Sequence, residues 1–62
     1  MKQQDLNKDL ITMCKIGHTG AVKLLIENGA DIHANNNLAI QYASKYGHTE
    51  VVKLLIEQGA TL

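Results

Sequence analysis

The chain has 62 residues, and six basic and six acidic side chains give it a formal net charge of zero. A chain of this length forms at most one domain, and its charge balance argues against the clustered Lys and Arg that nucleic acid or an anionic membrane attracts. One cysteine excludes an intrachain disulfide, the first nine residues do not have the pattern expected of a signal peptide, and no apolar run reaches about 18 residues. We therefore expect an intracellular, cytoplasmic protein.

The first predicted helix runs from Asp5 to Ile16, with Asp5 or Asn7 as its cap and Gly17 as its stop. Its apolar residues recur at helical spacing: Leu6, Leu10, Met13 and Cys14. A second helix is predicted over Thr19–Asn28, and Gly29 follows it.

A loop, GADIHANNN, separates this helix pair from the next. Its three successive asparagines favour a turn and tolerate the left-handed conformation. A third helix is predicted from Leu38 to Tyr46 and a fourth from Thr49 to Gln58, with Thr49 as its N-cap. The sequence thus predicts four helices and no strand.

The two helix pairs repeat each other at an offset of thirty residues. GHTGAVKLLIENGA begins at Gly17, and GHTEVVKLLIEQGA begins at Gly47. The segments before these two stretches have diverged. Such periodicity is typical of a repeat protein, in which the constant helix packs the stack and the variable helix is free to differ.

The repeated stretch, with the DIHA that follows its first copy, resembles the second helix and loop of an ankyrin repeat. The resemblance implies an all-α, ankyrin-type helix-turn-helix solenoid of about two repeats: a capping-like repeat over 1–34 and a second over 35–62. Two features depart from the family pattern, because the repeat is three residues short and the segment 38–44, LAIQYAS, replaces the Thr-Pro-Leu-His motif. We therefore expect a tight turn at Asn35–Asn37 in place of the usual β-hairpin. Short units of this kind are similar to the ankyrin arrays of giant DNA viruses, which would place the protein in the host cytoplasm.

The resemblance implies a protein-protein interaction module whose concave surface is formed by loop tips and first helices. Tyr46 is the leading anchor residue, because tyrosine is enriched among interface hot spots. The family's contact positions fall on these residues of the chain: Lys15, Ile16, Asn35, Asn36, Asn37, Gln41, Lys45 and Tyr46.

The sequence offers no pattern for catalysis, a cofactor or a metal. His18 and His48 are repeat-equivalent and are interpreted as residues that bond backbone groups, while His33 is expected in an exposed loop. Cys14 is interpreted as a small buried hydrophobe, and no zinc-ligand spacing surrounds it. We therefore expect a protein that is not an enzyme.

The alternative is a structural, self-associating repeat unit, or a segment of a longer ankyrin array without independent activity. The last helix has the apolar sequence of a helix inside a repeat stack, which predicts an exposed apolar carboxyl-terminal face around Tyr42, Val51 and Leu55. Such a face would favour a homo-oligomer.

Overall fold

A computed structural model describes residues 5–60. It contains four helices, α1 (Leu6–Ile16), α2 (Thr19–Glu27), α3 (Ala34–Lys45) and α4 (Thr49–Glu57). Within these residues there is no strand, and the predicted all-helical order is confirmed. No described helix combines the length and the apolar character that crossing a membrane needs.

The two ends of α1 lie where the sequence places them. Asp5 precedes the helix, and its carboxylate accepts a hydrogen bond from the backbone N–H of Lys8 at 3.1 Å. Gly17 ends the helix in the left-handed conformation, with a φ of 84°. An acceptor at the N-cap and a glycine after the last turn satisfy backbone groups that a helix leaves unpaired.

The predicted cap of α4 is wrong by one residue. His48 is the N-cap, and Thr49 is already the first helical residue; His18 and Thr19 have the same relation in α2. Neither histidine side chain makes a capping hydrogen bond. The left-handed glycine before each histidine ends the previous helix, and the helical conformation starts again at the threonine.

The three asparagines form a left-handed turn at the start of α3. Asn35, Asn36 and Asn37 have φ values of 56°, 58° and 64° inside the assigned helix. The right-handed part therefore begins at Leu38, as predicted, although the assigned helix begins at Ala34. The tight turn predicted in this loop is confirmed.

One apolar core joins all four helices. α1 packs against α2 and α3, and α4 packs against the same two helices. The largest fully buried side chains come from every helix: Leu10, Ile40, Leu55, Val22, Val51 and Cys14. The prediction that Val51 and Leu55 form an exposed face is wrong, because both point into this core rather than to the end of the stack.

Candidate functional site

Four side chains form a continuous row across the first helices of the two pairs. The Tyr42 and Tyr46 rings lie 6.0 Å apart between centroids and are tilted by 55°. The Lys15 ammonium lies 5.8 Å from the centre of the Tyr42 ring, and the Lys45 ammonium lies 5.7 Å from that of Tyr46. Both distances are within the roughly 6 Å over which a cation is attracted to an aromatic face. We call these four residues the tyrosine row.

Helix geometry explains how the row is assembled. Tyr42 lies in α3 and Tyr46, four residues further on, caps the carboxyl end of that helix, so the two side chains share one face. Lys15 reaches Tyr42 from α1, because α1 and α3 pack against each other. The Lys15 and Lys45 side chains are exposed, and the structure gives neither ammonium an ion pair among residues 5–60. The row therefore presents two positive charges beside two rings.

A groove of about 390 Å³ lies next to the row, between α1 and the start of α3. We call it the first-helix groove. Tyr42 belongs to both features, so the row and the groove form one surface. The groove mixes charged, amide and apolar side chains, and its lining is Asp5, Asn7, Lys8, Ile11, Thr12, Ala34, Asn35, Leu38 and Tyr42.

Hydrogen bonds hold the turn beside the groove. The Asn7 side-chain oxygen accepts from the Asp31 N–H at 2.7 Å, which ties α1 to the loop. The Gln41 amide donates to the Asn36 carbonyl at 2.7 Å. The Asn37 side-chain oxygen lies 2.7 Å from His33 Nδ1. Asn37 and Gln41 thus act in part as supports for the turn.

The residues predicted from the family's contact positions are mostly exposed. Lys15, Lys45 and Tyr46 belong to the tyrosine row, and Asn35 lines the groove. Ile16 follows Lys15 and is 52% exposed, an unusual position for an isoleucine. Asn36 and Gln41 are exposed in the adjoining turn, while Asn37 is half-buried. Their role in binding stays a prediction.

The place of Tyr42 in the row differs from the exposed carboxyl-terminal face that the sequence predicts for it. The ring is half-buried, and it lies below the Lys15 ammonium and beside Tyr46. The groove residues Lys8 and Thr12 are not among the predicted contact positions; they lie in the segment interpreted as a capping-like repeat. The i, i+4 spacing of the tyrosines was a signal for the row, but the approach of Lys15 depends on helix packing.

The histidines and the cysteine neither belong to the tyrosine row nor line the first-helix groove. His48 Nε2 is 2.9 Å from the Lys15 carbonyl, so its ring bonds backbone, as predicted, but in the preceding repeat. The same prediction is wrong for His18, whose side chain is exposed and makes no hydrogen bond among residues 5–60. His33 is exposed, as predicted. Cys14 is fully buried, and burial raises the pKa of its thiol to about 11. Residues 5–60 contain no group of three or more His, Cys, Asp or Glu side chains placed to hold a metal ion.

This arrangement of paired helices around one core defines a helical repeat protein. The family model for ankyrin repeats in three copies matches residues 2–62, and the chain therefore belongs to the ankyrin repeat family. It is similar to a protein named as an ankyrin repeat protein, R880 of Acanthamoeba polyphaga mimivirus, with 47% identity over 36 residues. That match covers 58% of the chain and 14% of the viral protein, so the chain corresponds to a small part of that relative. No solved structure matches the chain significantly.

Proposed function

We propose that the chain is a protein-binding module, and that the tyrosine row with the adjoining first-helix groove is its binding surface. Ankyrin repeats are in general protein-interaction modules, and the chain belongs to that family. The observation that carries the assignment is the row itself. It presents two tyrosine-lysine pairs on the first helices, and both tyrosines stand at positions where the two repeats differ.

The chemistry of the row favours a partner segment that carries both carboxylates and an apolar side chain. Lys15 and Lys45 offer two ammonium groups for carboxylates, and the rings beside them offer apolar area. Ile16, the residue after Lys15, adds exposed apolar area on α1, since more than half of its surface is exposed. Tyrosine and exposed cations together are typical of interface anchors and of electrostatic steering.

An enzymatic role has little support in the geometry. Cys14 is the chain's one thiol, and a nucleophilic cysteine reacts as its thiolate. Its complete burial and its pKa of about 11 favour the neutral thiol. We propose that the protein acts as a binding scaffold without catalysis, in the cytoplasm of the cell or of an infected host.

The test uses a random peptide library displayed on phage and selected on the immobilised chain. Peptides enriched on the parent are then measured against Lys15→Glu/Lys45→Glu and Tyr46→Ala variants. We expect each variant to weaken binding about tenfold or more, as for a hot spot. The matched control is Lys23→Glu/Lys53→Glu, which makes the same charge change at exposed, repeat-equivalent positions on α2 and α4.

Two outcomes would contradict the assignment. If the control substitutions weaken the binding of the enriched peptides as much as the Lys15→Glu/Lys45→Glu substitutions do, net charge and not the tyrosine row determines binding. If peptides are enriched and bind the Tyr46→Ala and Lys15→Glu/Lys45→Glu variants as well as the parent, the binding surface lies elsewhere on the chain. Circular dichroism of each variant shows whether the helices are retained.

A further inference from the structure

The junction between the two repeats has a specific contact at the turn before α4. The His48 ring lies against Gly17, so closely that a Cβ on that glycine would be 2.5 Å from His48 Nδ1. The same ring bonds the Lys15 carbonyl through Nε2 at 2.9 Å. The second repeat therefore packs against the first through a contact between His48 and Gly17, the glycine that ends α1.

A second part of the junction lies between the outer helices. Ile26 of α2 and Leu54 of α4 line one small groove, flanked by Lys23, Glu27 and Gln58. Both side chains are half-buried and pack against the core. One repeat thus contributes an isoleucine to this contact, and the next contributes a leucine.

The residues thirty positions away from this junction occupy the equivalent places on the two outward faces of the repeat pair. His18 has nearly the same backbone conformation as His48, but its side chain is exposed and makes no hydrogen bond among residues 5–60. Gly47 repeats the left-handed Gly17, yet a Cβ there would meet nothing within 4 Å. Leu24 corresponds to Leu54 and is 60% exposed, and Ile56 corresponds to Ile26 and is 47% exposed. One end face therefore carries the histidine and leucine, and the other the glycine and isoleucine.

We propose that a second copy of the chain stacks head to tail on the first and reproduces this junction between molecules. In this contact His18 of one copy lies on Gly47 of the other copy and bonds that copy's Lys45 carbonyl. Leu24 of the copy that supplies His18 packs against Ile56 of the copy that supplies Gly47. The two surfaces differ, so the contact is heterologous, and successive copies can add in the same direction.

The sequence also predicts that this association is weak. The outer-helix half of the junction is conserved, since Lys23, Ile26 and Glu27 recur as Lys53, Ile56 and Glu57. The first-helix half is not conserved, because Lys8 and Thr12 stand at the positions equivalent to Leu38 and Tyr42. The contact between copies therefore depends mainly on the outer helices, and so small an interface is typical of weak association.

The experiment compares sedimentation of the parent with that of two one-sided variants, Leu24→Glu and Ile56→Glu, up to millimolar concentration. Both substitutions replace exposed side chains, and circular dichroism checks that the fold is retained. We expect the parent to associate reversibly and each variant alone to stay monomeric. An equimolar mixture of the variants regains dimers, because the intact Ile56 face of one variant meets the intact Leu24 face of the other.

Complementation in the mixture is specific to a heterologous contact. A parent that stays monomeric at every concentration overturns the proposal. Association that both variants lose and the mixture fails to restore also overturns it. Loss of association in only one of the two variants does so as well, since a two-fold contact through one face would behave in that way. Retention of association in both single variants shows that the copies meet through other surfaces, which equally contradicts the head-to-tail contact.

Discussion

Gly17 and Gly47 occupy the same position in the two repeats, and both have a left-handed backbone, with φ values of 84° and 76°. They differ in what lies beside them. A Cβ at Gly17 would meet the His48 ring at 2.5–2.9 Å, whereas a Cβ at Gly47 would meet nothing within 4 Å. Substitutions at these two glycines therefore distinguish two contributions to stability. At Gly47 a side chain meets only the cost of the left-handed backbone, whereas at Gly17 it also meets the His48 ring.

We expect Gly17→Ala to lower the free energy of unfolding by more than Gly47→Ala does. Both variants place a side chain in the left-handed region, which costs roughly 1–2 kcal/mol for a residue other than glycine. Only Gly17→Ala also displaces the His48 ring, and overpacking of this kind costs about 1–3 kcal/mol more. Urea denaturation of the two variants measures the difference.

The control for this prediction is the same pair of substitutions in a His48→Ala background. Without the ring, the two alanine variants should lose nearly equal stability, so the double-mutant cycle isolates the contact with Gly17. If Gly17→Ala and Gly47→Ala lower the stability of the parent chain equally, the contact between His48 and Gly17 is contradicted.

At the scale of elements, α2 and α4 are close to identical in sequence and have the same length. Their first turns differ, because Gly20 stands in α2 where Glu50 stands in α4. Glycine in a helix costs about 0.5–1 kcal/mol relative to alanine, and an acidic residue near the helix N-terminus is favourable. The first copy of the outer helix therefore has the weaker start.

We expect Gly20→Ala to stabilise the protein by up to about 1 kcal/mol. Gly20→Glu should add part of the roughly 0.3–1 kcal/mol that a charge gains from the helix dipole. Gly20 is exposed, and a Cβ there meets nothing within 4 Å, so no crowding offsets the gain. Thermal unfolding measures the change, and the reciprocal control Glu50→Gly should destabilise α4. A lower midpoint for Gly20→Ala would contradict this account of the helix start.

The helices themselves were predictable from the sequence, because apolar spacing and glycine stops are local signals. The left-handed turn was also predictable, since asparagine tolerates positive φ and three of them occur in succession. The N-cap of α4 was not. Thr49 is a good capping residue by type, but Gly47 sets the backbone so that His48 takes that position.

At the scale of the whole molecule, the candidate site was only partly predictable. Lys45 and Tyr46 follow from the family's contact positions, whereas the Lys15–Tyr42 contact joins residues from different helices and depends on how α1 meets α3. The assignment of Val51 and Leu55 to an exposed face failed for a related reason. Both side chains turn into the shared core, and among residues 5–60 the exposed large apolar side chains of α2 and α4 are Leu24 and Ile56.

Cys14 belongs to this shared core, and its ionisation couples pH to the stability of the whole fold. Burial raises the pKa of its thiol from an ordinary 9.0 to about 11, and its side chain is fully buried. Between these two values the folded chain keeps a proton that the unfolded chain has released. Stability therefore falls as pH rises, because the native state binds more protons there.

We expect the stabilising contribution of the neutral thiol to be complete below about pH 9 and to be lost as the pH rises through about 11. Urea midpoints measured across this range give the slope for the parent chain. A Cys14→Ala variant is the control, since it removes the thiol and leaves every other side chain unchanged. The variant should lose overall stability from the missing sulfur but show a shallower decline with pH. Parallel declines in the two proteins would show that the Cys14 thiol is not held neutral by the core.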